Sequence, residues 1–134
     1  MKFFPGRRDT REMAPALTTK QRGDAAEARA MAHLQAAGLR PVERNYRTPG
    51  RGGGEIDRVM RDRDGTLVFV EVRQRASASH GGAAGSVGAV KQGRIVLAAQ
   101  YYLARFASPP PCRFDVVTVE SDAVGWLKAA FDAD

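Results

Sequence analysis

GGGEIDRVMRDRDGTLVFVEVRQR, residues 52–75, is the stretch on which the fold of this chain turns. Two runs rich in β-forming side chains flank Asp64-Gly65, a dipeptide that favours hairpin turns. Both runs carry acids, Asp57 and Glu71, where a core strand would be expected to carry apolar residues. Side chains on paired strands share a face only when they are opposite or an even offset apart, so turn length decides how these acids stand to each other. A two-residue Asp64-Gly65 turn pairs Arg63 with Thr66 and sends Asp57 and Glu71 to opposite faces. A three-residue loop, Arg63-Asp64-Gly65, with Gly65 left-handed in a G1 bulge, pairs Asp62 with Thr66 and sets Asp57 directly opposite Glu71.

The longer loop also orders the rest of the pattern. It puts Asp57, Val59, Leu67, Phe69, Glu71 and Arg73 on one face and Ile56, Met60, Val68, Val70 and Val72 on the other, with Arg58 the exception. Directly opposed carboxylates have Cβ atoms about 4.5–5.5 Å apart and repel each other. A cation between them removes the repulsion, and a hard divalent ion such as Mg²⁺ prefers carboxylate oxygen while keeping several waters. The alternative is a twisted sheet end where each acid reaches solvent or pairs with a neighbouring arginine. Parity alone leaves the two open.

Working outward, residues 19–37 read as a helix, with Thr18 or Thr19 as its cap and Gly38 as its C′ residue. Its apolar stripe is Ala30, Met31, Leu34 and Ala37, and Glu27 points along the same stripe. An acid there costs free energy unless something satisfies it. A first-turn acid complementing the helix dipole is the plainer account. Next, LRPVERNYR reads as a short or edge strand because Pro41 cannot donate to a ladder. TPGRGGG is a loop with neither P-loop nor dinucleotide-binding spacing. Residues 76–86 form a second small-residue loop. Residues 87–106 read as a second helix, with Val87, Val90, Arg94, Leu97, Ala98, Tyr101 and Tyr102 near helical period and Lys91 and Gln92 in its early turns. CRFDVVTVE, residues 112–120, has the near-continuous apolar centre of a strand covered on both faces. VGWLKAAF is expected to form a short terminal helix or turn that packs Trp126, Leu127 and Phe131 on the sheet. The order α-β-β-β-α-β gives an α/β sandwich with a mixed central sheet flanked by helices.

The chain is 134 residues long, the size of one domain, and is 43% hydrophobic and 27% charged, as in soluble globular proteins. Residues 1–17 are expected to be a mobile basic arm and residues 18–134 a single domain. Net charge is +6, with arginine supplying most of the 21 basic residues. Arginine favours planar, bidentate contact with phosphate, so a polyanionic partner is expected, with a solvated basic surface as the bland alternative. One cysteine, Cys112, excludes an internal disulfide or cysteine-based zinc site. His33 and His80 lack metal-ligand spacing. No apolar run approaches membrane-spanning length and no signal-peptide stretch opens the chain, so a cytoplasmic location without membrane partners is expected.

The acid on one strand followed by Glu71-x-Arg73 on the next is similar to the PD-(D/E)XK nuclease pattern. RNYR at 44–47, GEID at 54–57, DG at 64–65, LVFVEV at 67–72, VGAVKQGR at 87–94 and CRFDVV at 112–117 appear in the order of the bacterial YraN family, which the chain resembles from Gly23 to Phe131. That family is related to Holliday junction resolvases and restriction endonucleases. The resemblance implies a restriction-endonuclease-like core, with Asp57, Glu71 and Arg73 as catalytic residues, Asp57 and Glu71 as acids for Mg²⁺ or Mn²⁺, and Glu27, the first-helix acid of the resolvase-like branch, assisting through a second ion or an outer-shell water. It places Arg73, Gln74, Lys91, Gln92 and Arg47 toward nucleic acid, DNA more than RNA. The resolvase kinship also implies a homodimer, although no stretch marks an isologous interface.

One departure matters. Arg73 stands where the pattern has lysine, and arginine stays protonated and cannot act as a base. It can still bind phosphate and stabilise developing charge. Gly85, Gly88 and Gly93 stand where the family has other residues, and Arg58 stands where it usually has an apolar one. Three functions are therefore weighed: a metal-dependent nuclease acting on DNA, branched DNA among its candidate substrates; a nucleic-acid-binding protein with a degenerate nuclease site; and a partner-binding protein whose basic surface meets another protein.

Overall fold

The structure, a computed structural model, describes residues 16–75 and 87–133. Seven elements follow in order: α1 (Thr19–Ala36), β1 (Arg40–Arg47), β2 (Glu55–Arg61), β3 (Leu67–Gln74), α2 (Ala89–Leu103), β4 (Cys112–Glu120) and β5 (Ala123–Phe131). The strands form one sheet in the order β1-β2-β3-β4-β5. All neighbours are antiparallel except β3 and β4, which run parallel and are joined through α2. A parallel pair needs a crossover connection, and α2 supplies it. The expected mixed α/β sheet is present, extended by a fifth strand, and its layout is consistent with a restriction-endonuclease-like core.

The helices cover opposite faces of the sheet. One core layer joins Val59, Leu67, Phe69, Phe114 and Val116 to Ile95, Ala98, Ala99 and Tyr102 of α2. The other joins Met60, Val68, Val70, Val117 and Val119 to Ala26, Ala30, Met31 and Leu34 of α1. β3 and the centre of β4 are therefore buried from both sides, as their apolar runs require.

The start of α1 is closed by a capping box between Thr18 and Gln21. It ends in a Schellman motif, with Leu39 N–H bonded to Leu34 O at 3.1 Å, Gly38 N–H to Gln35 O at 3.0 Å, and Gly38 at φ +106°. Ala37, expected on the buried stripe, is the C-cap and lies exposed, while Ala26 takes its place one turn from the start of the stripe.

The β2–β3 hairpin has the three-residue loop. Arg61 pairs with Leu67, Met60 with Val68 and Arg58 with Val70, Asp62 N–H bonds to Thr66 O at 2.9 Å, and Gly65 has φ +91°. Continued one step past its last pair, Arg58 with Val70, that register brings Asp57 to the level of Glu71.

Three further expectations need correction. Ile56 lies in the α2-side layer with Val59, not with Met60 and Val70. Residues three apart on a regular strand face opposite ways, so the ribbon turns over between them. The turnover falls where β1 pairs Arg44 with Arg58 and Tyr46 with Ile56, around Asn45, whose φ of +52° is left-handed. Second, α2 buries Ile95, Ala98, Ala99 and Tyr102, whereas Val90 and Tyr101 are exposed. Close approach of β2 at Gly54 explains the rotation: a Cβ there would stand 1.8 Å from Arg94 O and 3.0 Å from Ala98 N. Third, the C-terminal stretch is a strand, not a helix. Ser121 at φ +54° turns the chain so that β5 pairs along β4 and covers an otherwise open edge.

A buried acid fixes the far side of the sheet. Asp115 accepts from Trp126 Nε1 at 2.9 Å, Ala129 N–H at 2.9 Å and Arg113 Nε at 3.1 Å, and Arg113 Nη1 donates to Asp62 at 2.9 Å. These bonds hold the irregular pairing of β4 and β5 near Phe114 and Val116.

Candidate functional site

The acids gather at the end of the β2–β3 pair opposite its hairpin turn. Here the ladder gives way to a side chain: Asp57 Oδ2 accepts from the Val72 backbone N–H at 2.9 Å. A cleft of about 360 Å³ opens beside it, walled by Asp57, Glu71, Glu27, Asp24, Lys20 and Gln74. The first half of α1 forms one wall, and the ends of β2 and β3 form the other.

Glu71 is 4% exposed. Its Oε2 faces Lys91 Nζ at 3.5 Å and Arg73 Nη1 at 3.7 Å, while its Oε1 is buried without a hydrogen-bond partner. Burial, reinforced by the charge of Asp57, pushes the Glu71 carboxyl up from 4.5 to about 7. Asp57 is raised as well, first by burial, against the opposing hydrogen bond from Val72 and with the Glu27 charge adding to the rise. Each carboxylate thus makes ionisation of the other harder, and the two titrate as a pair.

Glu27 reaches this cleft from α1 but is not solitary. Arg58 Nη2 bonds its Oε1 at 3.2 Å, with both side chains largely buried. This pair accounts for two odd residues at once: an acid on the stripe of a helix and an arginine on the inner face of a strand.

The structure thus brings together Asp57, Glu71, Arg73, Lys91, Glu27 and Gln74. Arg47 and Gln92 do not line the cleft. Arg47 lies on the exposed end of β1, 3.6 Å from Glu55 Oε2. Gln92 Nε2 donates to Val87 O at 2.9 Å and closes the first turn of its own helix. Lys20 and Asp24, a pair on successive turns of α1 joined at 2.8 Å, were not anticipated as cleft residues. Their spacing from Glu27 along one helix face was the available signal.

Among the described residues, no group of three or more His, Cys, Asp or Glu is arranged to hold a metal ion. The donor set that does exist is the carboxylate pair, with Glu71 Oε1 lacking any donor. That is compatible with Mg²⁺, which commonly takes one or two carboxylates and keeps its remaining waters. Among the described residues, no helix is long and apolar enough to cross a membrane.

A family model described as "Uncharacterised protein family UPF0102" matches residues 26–119, which include Glu27, Asp57, Glu71, Arg73 and Lys91. A UPF0102 protein of Acidovorax sp. (strain JS42) is 66% identical, covering 90% of this chain and 91% of its own length. One from Paracidovorax citrulli is 71% identical over 87% of this chain and 86% of its own. Another, from Methylibium petroleiphilum, is 66% identical over 87% of this chain and 98% of its own. With the matched region spanning the sheet from β1 to β4, both sheet faces and the paired acids, this chain belongs to the UPF0102 family.

Proposed function

We propose that the protein is a metal-dependent nuclease that hydrolyses phosphodiester bonds in DNA, with branched DNA among its substrates. The observation that carries this reading is the buried, mutually repelling pair Asp57–Glu71 with an unpartnered carboxylate oxygen, beside two cations. The YraN-like and PD-(D/E)XK-like motifs support it, because the same residues occupy the acid positions of those patterns.

Asp57 and Glu71 are the residues that would hold Mg²⁺ or Mn²⁺. Such an ion, when bound, lowers the pKa of a water and polarises a phosphoryl oxygen. The remaining roles belong to the chain itself. Val72 N–H fixes one oxygen of Asp57, leaving the other toward the cleft. Lys91 and Arg73, both within 3.7 Å of Glu71 Oε2, can hold non-bridging phosphate oxygens and offset charge that develops on them. Glu27, oriented by Arg58, can accept a hydrogen bond from water at the rim.

A second reading is a nucleic-acid-binding protein without appreciable cleavage, and Arg73 favours it, since a guanidinium cannot take up a proton. Lys91 weighs the other way, because α2 brings a lysine amine to the acid that the strand motif leaves without one. Cleavage of junction, flapped and single-stranded DNA with Mn²⁺ separates the readings. The nuclease reading expects products from the wild type and none from Asp57→Ala. Equal cutting by Asp57→Ala overturns it. Intact DNA with the wild type but products with Arg73→Lys selects the binding-only reading.

A further inference from the structure

We propose that an arginine-walled cavity adjoining the acid cleft seats a backbone phosphate next to the one held at Asp57 and Glu71. The inference rests on the nucleic-acid reading above and adds to it the path of the strand and the way the strand is recognised. The cavity has a volume of about 370 Å³ and is lined by Arg22, Arg29 and Arg75 together with Gln74, Ala26 and Val119. It lies within the range of small-ligand sites, about 300–1,000 Å³. Among the described residues no acid lines it, whereas Asp24, Glu27, Asp57 and Glu71 all line the neighbouring cleft. The two hollows share Ala26 and Gln74, so a strand leaving the carboxylates passes Gln74 directly into the arginines.

Arg22 and Arg29 are placed by bonds that leave their charge available at the surface. Arg22 Nη1 donates to the Leu17 carbonyl at 2.8 Å, a neutral acceptor. Arg29 Nη1 donates to Ser121 O at 3.1 Å, and its Nη2 pairs at 3.1 Å with Asp122, whose side chain is 93% exposed. A surface pair of that kind is weak and exchangeable. Arg22, Ala26 and Arg29 are spaced four and three residues apart, so one face of α1 presents both guanidinium groups over an apolar floor. Arg75 arrives from the end of β3, its backbone N–H bonded to Val119 O at 2.9 Å. Planar guanidinium groups match phosphate geometry.

Among the described residues, neither hollow has an aromatic side chain in its lining. Proteins that grip unpaired bases stack them on aromatic rings. Here the walls offer charge and no stacking platform, so the cavity reads phosphodiester spacing and not base order.

The test is fluorescence anisotropy of the full chain with labelled DNA and RNA duplexes of one sequence, in chelator, across a salt series. The tighter binder identifies the polymer. An Arg22→Gln/Arg29→Gln variant should lose affinity several-fold on every sequence, with a slope of log K against log salt shallower by about 1. Arg22→Lys/Arg29→Lys should recover most of the loss. Arg22→Gln alone, which gives up a surface bond to a carbonyl, serves where the double variant unfolds. A folded glutamine variant that keeps wild-type affinity and slope overturns the cavity proposal and leaves the nuclease reading standing. A wild type that binds neither duplex at low salt overturns the cavity proposal, and the Mn²⁺ cleavage test then decides the nuclease reading on its own.

Discussion

Glu71 shows how one residue can report on the site independently of any substrate. Its carboxyl is raised from 4.5 to about 7 by burial and by Asp57. The folded chain therefore holds the proton more tightly than the unfolded chain does. The sign follows from linkage: the stabilisation is complete below about pH 4.5 and is lost as pH rises through about 7. Metal-free protein should accordingly show a falling Tm between about pH 5 and about pH 8, with part of the fall due to this group. Glu71→Gln cannot ionise, and its Tm should fall less over the same range, followed by circular dichroism. Parallel pH profiles for the two proteins would contradict this account. Glu27 teaches the complementary lesson. Its place on the helix stripe was legible, but its partner was not, because Arg58 is 31 residues away and meets it only through packing of α1 on the sheet.

At the scale of elements, the hairpin was the most legible part of the molecule. Asp64-Gly65 and the flanking alternation admit two turn lengths, and the three-residue loop, which puts Val59 on one face with Leu67 and Phe69, is the one present. The reversal at Ile56 was not legible, because the alternation within β2 alone carries no sign of it. Asn45, at φ +52°, lies between the paired positions where the ribbon turns over. Asparagine visits this region far more readily than β-branched residues. Asn45→Val should cost about 1–2 kcal/mol and lower Tm by several degrees, while Asn45→Gly should be close to neutral. Equal Tm values for Asn45→Val and wild type would show that the left-handed residue does not set the turnover. The face of α2 escaped for a related reason. Ile95, Ala98, Ala99 and Tyr102 make a complete helical stripe, but Val90 and Tyr101 offered a competing one. The contact with Gly54, more than forty residues earlier in the chain by its number, selects between them. β5 was misjudged because Gly125 and the alanines are poor strand formers in isolation. Pairing along β4 and the bonds from Trp126 and Ala129 to Asp115 override that preference.

At the scale of the whole molecule, the two helices and the splayed end of β2 and β3 converge on the acid pair from different parts of the chain. α1 supplies Glu27, α2 supplies Lys91, and the sheet supplies Asp57, Glu71 and Arg73. The chain carries a net charge of +6, while its acid cleft gathers Asp24, Glu27, Asp57 and Glu71. On the proposed reading, the positive charge would attract a polyanion and the buried carboxylates a divalent cation. The acid positions were visible in the sequence through strand parity. The supporting cations were visible only as residue types, since their distances depend on how α2 meets the sheet. The most direct test is isothermal titration of Mn²⁺ into the full chain at about pH 8, where Glu71 is ionised, beside Glu71→Gln. Saturable heat in the wild type that disappears in Glu71→Gln is the predicted result; identical heats in the two proteins, or none in the wild type, would contradict a cation site at Asp57 and Glu71.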